Sequence, residues 1–188
     1  DNFMRPTKRG GAWMSSFRDQ SRAHGESLPV IVNNNNFAKA PDGVPTLLSA
    51  DDVRTLFHEF GHGLHGLLSQ VTYERLSGTH VLRDFVELPS QLFEHWAFDP
   101  AVLERHARHA DTGEPIPHEL VLRVRSARRF NQGFETVEYA ACALLDMALH
   151  ASEDPEGVDV AAFEVAELAR IGMPREIVLR HRLPHFGH

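Results

Sequence analysis

The sequence predicts a mainly α protein with a small β portion near its N-terminus. Three observations carry that prediction. From residue 49 onward, apolar residues recur at helical spacing in one stretch after another. Before it, the β-branched run Leu28-Pro29-Val30-Ile31-Val32 has the character of a short strand. Between the helical stretches lie breaks rich in Pro and Gly, at Asp99-Pro100, Asp111-Thr112-Gly113-Glu114-Pro115 and Asp154-Pro155-Glu156-Gly157.

Residues 1–48 read as β and loop. Gly10-Gly11, within Arg9-Gly10-Gly11-Ala12-Trp13-Met14, marks a turn or a close backbone approach. A strand over 28–32 leads into four consecutive amides, Asn33 to Asn36. These read first as a polar loop and second as an edge strand open to an extended peptide. A long helix follows over 49–70. Ser49 suits its N-cap, with Asp52 completing a capping box, and Val53, Leu56, Phe57, Phe60, Leu64, Leu67 and Leu68 form one apolar face expected to be core. Gly61, Gly63 and Gly66 weaken that helix and call for close packing. A second helix is expected over 84–98, capped by Asp84 and bent or delayed by Pro89. A helical remainder over 101–171 breaks into 101–110, 118–130, 135–151 and 160–171. In the third of these Val137, Ala140, Ala141, Leu144, Leu145 and Ala148 form a stripe expected to be buried.

The bulk numbers narrow the function. The length of 188 residues suits one domain, and 42% hydrophobic with 24% charged residues describes an ordinary globular protein. A net charge of -7 argues against nucleic acid as a partner. The one cysteine, Cys142, permits no intrachain disulfide and no cysteine zinc cluster, and it fits a reducing, cytoplasmic setting. No apolar run approaches the length of a membrane span, and no stretch resembles a signal peptide. The chain begins at Asp1 and stops at His188 with the look of a cut at each end.

The chemistry centres on His58-Glu59-Phe60-Gly61-His62, an H-E-x-x-H pattern on the expected long helix. Residues four apart lie one above the other on a helix, so His58 and His62 can aim two imidazoles at one metal ion. Glu59 lies to one side, where its carboxylate can take a proton from a water activated by the metal. A catalytic zinc needs a third protein ligand. The extended pattern with a third histidine fails, because positions 65 and 68 are His65 and Leu68 rather than Gly and His. A glutamate is the other option, and spacing leaves Glu74, Glu87 and Glu94 open, with a modest preference for Glu87 over Glu94.

Four stretches in order carry a resemblance. They are Lys8-Arg9-Gly10-Gly11-Ala12-Trp13-Met14, Thr55 through Gly66 around the histidine motif, Leu76-Ser77-Gly78-Thr79, and Asp84-Phe85-Val86-Glu87-Leu88-Pro89-Ser90-Gln91. The chain thus resembles the thimet oligopeptidase family of zinc metallopeptidases, which includes neurolysin, oligopeptidase A and peptidyl-dipeptidase Dcp. Glu94-His95-Trp96-Ala97 and Ala143-Leu144-Leu145-Asp146-Met147 lean toward the peptidyl-dipeptidase branch. The resemblance implies one zinc ion held by His58, His62 and Glu87, with Glu59 as general base. It implies an incomplete zincin-like catalytic core, with 1–188 as a partial catalytic domain, 49–70 the zinc-motif helix and 84–98 the third-ligand helix. The implied activity is hydrolysis of short peptides with release of C-terminal dipeptides. An endo-acting oligopeptidase, or a zinc-binding piece without turnover, are the alternatives.

The family's oxyanion donors are Tyr and His side chains near its C-terminus. His188 matches that histidine, while the only tyrosines in this chain are Tyr73 and Tyr139. Arg83 is a candidate substrate contact by analogy with the family's loop. His65 shares a face with the two motif histidines and suits a supporting or packing role. Asp84 is a candidate acceptor for the outer N–H of a ligand histidine, as well as the expected cap. The family's chains are several times longer, so self-association through apolar faces left open is a further expectation.

Overall fold

The computed structural model describes residues 1–154 and 157–183. The fold is mainly helical, with a two-stranded antiparallel ribbon near the N-terminus. The chain divides into two compact units, Asp1–Arg123 and Val124–His188.

In the first unit, β1 (Trp13–Arg18) pairs with β2 (Val30–Asn34). Met14 stands opposite Asn33 and Ser16 opposite Ile31, with the register shifting between Ser16 and Arg18. Directly opposite residues share a face, so Met14, Ser16, Ile31 and Asn33 point the same way. That face meets the long helix α1 (Ala50–Leu67). A Cβ on Gly66 would fall 2.7 Å from Ile31 Cδ1, and one on Gly63 would fall 3.1 Å from Asn33 Oδ1. The glycines in the helix are therefore the surface on which the ribbon lies.

The asparagine run is only partly the loop expected. Asn33 and Asn34 belong to β2, and the strand begins two residues later than 28. Asn35 is fully buried, and its Nδ2 donates to Asn2 Oδ1 at 3.1 Å. Asn36 Nδ2 donates to the carbonyls of Arg9 (2.8 Å) and Gly11 (2.7 Å), clamping the Gly10-Gly11 turn, where Gly11 has φ +85°. The side chain of Gln20 closes a pair of hydrogen bonds with the Val71 backbone, tying the end of β1 to the segment after α1.

Helix α1 starts where expected. Ser49 accepts from the Asp52 N–H at 3.1 Å, and Asp52 accepts from the Ser49 N–H at 3.0 Å, a reciprocal capping box. Its buried face differs from the expectation. The buried residues are Glu59, Gly61, His62, Gly63 and Gly66, whereas Phe60, Leu67 and Leu68 are exposed. Glycines admit backbone and ribbon at close range, so the glycine side of the helix is the covered one. Of the apolar face, Phe57 and Phe60 pack against Phe93, with ring centroids 5.5 and 5.8 Å apart.

The helix expected over 84–98 is three pieces: α2 (Arg83–Val86), α3 (Leu88–Glu94) and a 3-10 turn, His95–Phe98. Pro89 has no N–H to continue the α2 ladder, and it sits in the first turn of α3, where that loss costs nothing. Asp99 then caps α4 (Pro100–His106), accepting from the Ala101 and Val102 N–H groups. Helix α5 spans His118–Ala127.

In the second unit, α6 (Gln132–His150) and α7 (Val160–Arg170) enclose a small core of Ala141, Leu145, Leu179 and Leu183. Buried Glu164 accepts from Arg182 Nε at 2.8 Å and from the Leu183 N–H at 3.4 Å, fastening the last described segment to α7. Of the stripe expected on α6, Ala141 and Leu145 are buried, while Val137 and Leu144 are exposed. No helix among the described residues is long and apolar enough to cross a membrane.

Candidate metal centre

Helix α1 presents His58 and His62 one turn apart, with ring centroids 4.9 Å apart and planes at 84°. Across from them, Glu87 occupies the joint between α2 and α3. Its Oε2 lies 3.2 Å from His58 Nε2 and 3.1 Å from His62 Nε2. The joint reaches that position because Gly61 lets α3 approach α1 at backbone range. Ser90, fully buried on α3, points its hydroxyl at the Glu87 carbonyl (2.9 Å) and Oε2 (2.8 Å). Behind His58, its Nδ1 lies 2.7 Å from Glu94 Oε1.

Burial shapes the electrostatics of this group. It pushes the Glu59 carboxyl above its ordinary value, chiefly by desolvation; the Glu87 charge adds to that, while His58 and a backbone contact from Met14 oppose it. Desolvation also holds His62 below the usual imidazole value, partly offset by Glu87, and burial does the same to His65. Glu59 Oε2 and His62 Nδ1 are buried and have no hydrogen-bond partner among the described residues.

His58, His62 and Glu87 offer ligand atoms within 4.8 Å of one another, the group among the described residues that suits a metal ion. Two donors about 2.0–2.1 Å from one tetrahedral zinc lie about 3.3 Å apart. The 3.1 and 3.2 Å separations from Glu87 match that spacing. Two imidazole nitrogens and one carboxylate oxygen are also a donor set zinc accepts. The residues present therefore fit the ion.

The other sequence candidates are placed as follows. Glu74 lies in a 3-10 turn, Glu74–Leu76, and does not join the group. Glu94 stands behind His58 instead of beside Glu87. His65, one turn beyond His62, turns its ring to Phe85 at 6.0 Å. Asp84 takes neither of its expected parts: α2 is preceded by Leu82 with no side-chain cap, and the outer nitrogen of His58 is met by Glu94. With the helix broken at Glu87, Asp84 falls inside the short α2 rather than ahead of a long helix. Arg83 opens α2 and is exposed. His188 lies outside the described residues.

Sequence reasoning missed what Ser90 and Gly61 do, and it considered Glu94 only as a ligand. Residues 87, 90 and 94 follow i, i+3, i+7 spacing, so a shared face was there to be read.

Comparison with known proteins shows the family of the chain. The model of Peptidase family M3 matches residues 1–188, and the chain belongs to that family. It is 49% identical over 191 residues to a dipeptidyl carboxypeptidase of Salmonella typhimurium, covering 100% of this chain and 28% of the relative. A dipeptidyl carboxypeptidase of Escherichia coli is 47% identical over 190 residues, with the same coverage of 100% and 28%. Oligopeptidase A of Escherichia coli is 36% identical over 192 residues, again covering 100% and 28%. The chain thus spans 28% of the length of these curated relatives.

Proposed function

We propose that this chain carries the metal centre of a zinc peptidase that hydrolyses short peptides and releases C-terminal dipeptides. The observation that carries the reading is the Glu87 oxygen set 3.2 and 3.1 Å from the Nε2 atoms of His58 and His62. These three residues would hold one zinc ion. Bound there, zinc supplies Lewis acidity, which acidifies a water and polarises a peptide carbonyl.

The chain's own residues supply the rest. Glu59 follows the first ligand on the buried side of α1, and its Oε2 has no protein partner among the described residues. Its desolvated carboxylate binds a proton more tightly than an ordinary one. It is therefore suited to take a proton from water and pass it to the leaving amine. Glu87, whose Oε2 accepts from the buried Ser90 hydroxyl at 2.8 Å, sets that oxygen within reach of both imidazoles. Arg83, exposed near Glu87 in sequence, is the proposed contact for a substrate carboxylate.

Release of dipeptides rests on the names of the two relatives at 49% and 47% identity. The oligopeptidase A relative at 36% keeps endo cleavage as the second reading of the same site. A third reading, zinc held without turnover by this chain alone, rests on its spanning 28% of each relative.

Zinc content and affinity test the site. The chain is expected to bind one equivalent and the His58→Ala/His62→Ala double variant none. Equal binding by both sinks the assignment. With a quenched peptide bearing a free C-terminus, dipeptide release that stops on blocking that terminus supports the dipeptidase mode, and unchanged cleavage supports the endo mode.

A further inference from the structure

An imidazole gives a metal only the nitrogen that carries no proton, and what the other nitrogen touches decides which one that is. The two histidines of the site differ in this respect. His58 directs Nε2 toward Glu87 Oε2 at 3.2 Å and Nδ1 toward Glu94 Oε1 at 2.7 Å. His62 directs Nε2 toward the same Glu87 oxygen at 3.1 Å, but its Nδ1 is buried without a partner among the described residues. One ring is therefore held from both sides and the other from one.

Glu94 is the last residue of α3, where the helix passes into the 3-10 turn His95–Phe98. Its side chain is 22% exposed, and among the described residues its hydrogen-bond partner is His58, 36 positions away in the chain. The neighbouring Phe93 is clamped between Phe57 and Phe60 of α1, which flank His58 in the sequence. The contact with His58 is thus made by a side chain on a fixed stretch of backbone rather than by a free surface acid.

We infer that Glu94 is a positioning residue: it accepts the Nδ1 proton of His58 and fixes the ring so that Nε2 faces the oxygen of Glu87. This rests on the zinc reading of His58 for its effect on metal binding, but the tautomer it sets belongs to the protein without metal. Because His62 has no such partner, the order it imposes on the pair comes through His58.

The test uses the full chain with ¹⁵N-labelled histidine and zinc alone as the ligand. In the metal-free protein the His58 ring is expected with a proton on Nδ1, kept in Glu94→Gln, whose carbonyl still accepts, and depleted there in Glu94→Leu. Zinc affinity, measured by competition with a chromophoric chelator, is expected to fall about 10–100-fold in Glu94→Leu and by less in Glu94→Gln. A His58 Nδ1 found without a proton in the metal-free wild type overturns the inference. So does zinc binding in Glu94→Leu within twofold of wild type. If Glu94→Leu does not fold, Glu94→Gln decides: loss of the Nδ1 proton there overturns the inference, and its retention with a smaller drop in affinity supports it. A wild type that binds no zinc, or binds it equally after His58→Ala, overturns the zinc reading. The metal-free tautomer then still decides for or against the role of Glu94 toward His58.

Discussion

Gly61 and Ser90 meet backbone to backbone. A Cβ on Gly61 would lie 2.6 Å from Ser90 Cα and 2.8 Å from the Pro89 carbonyl oxygen. Neither atom can swing away as a side chain could, so a methyl group there must push α3 off α1. Glu87 is at the head of α3 and would move with it.

Gly61→Ala therefore sets two effects against each other. Alanine is the better helix former by about 1 kcal/mol, while overpacking a tight contact costs about 1–3 kcal/mol. The backbone contact wins, and the variant is expected to be less stable and to bind zinc more weakly. Gly133→Ala in α6 is the control, because nothing lies within 4 Å of the added Cβ. It should stabilise by up to about 1 kcal/mol. Urea denaturation of both variants checks the pair, and equal shifts would show that the α1–α3 contact is looser than described.

Glu59→Gln should separate stability from turnover. The folded protein raises the Glu59 pKa from 4.5, so the ionised carboxylate costs stability once pH exceeds that value. Between 4.5 and the raised value the folded state holds the proton better than the unfolded chain, and stability falls as pH rises through that window. At neutral pH the variant is expected to be more stable without metal by about 1 kcal/mol, the scale of one poorly compensated buried group. Melting curves of the metal-free proteins at pH values on either side of the window check this. The proposed peptide hydrolysis should be abolished in this variant while the proposed zinc binding is kept.

His62 and His65 work in the opposite direction. Both have folded pKa values lowered from 6.5 by burial, so the unfolded chain takes protons that the folded one refuses. Their contribution is fully present above 6.5 and is lost as pH falls through the lowered values. The melting temperature of the metal-free protein should drop on acidification below that point. His65→Gln should reduce the slope without removing a proposed ligand. An unchanged slope would show that His65 contributes nothing to it.

Local signals were the readable ones. Ser49 and Asp52 cap α1 through contacts three residues apart, so the sequence displays the whole device. The helical face shared by His58 and His62 is equally local. β1 was not foreseen, because Trp13-Met14-Ser15-Ser16-Phe17-Arg18 lacks a clean alternation and becomes a strand by pairing with β2 and lying on Gly66. The covered side of α1 was misjudged for a related reason. Periodicity weighs Leu67 and Leu68 as core, but burial follows what approaches, and the ribbon and α3 approach the glycines. Glu94 was weighed as a ligand because spacing can place two residues on one face without saying which lies in front of a ring and which behind it.

The three glycines of α1 bear on whether the motif can be transplanted. They weaken an 18-residue helix that is already near the marginal length for water. A synthetic peptide covering 49–68 should remain mostly unstructured in dilute buffer, its two histidines sampling many separations. Glu87 and Glu94 would be missing from it as well. Anyone grafting this centre into another scaffold must import the ribbon and α3 with it, for the helix is assembled by its neighbours as much as it supports them.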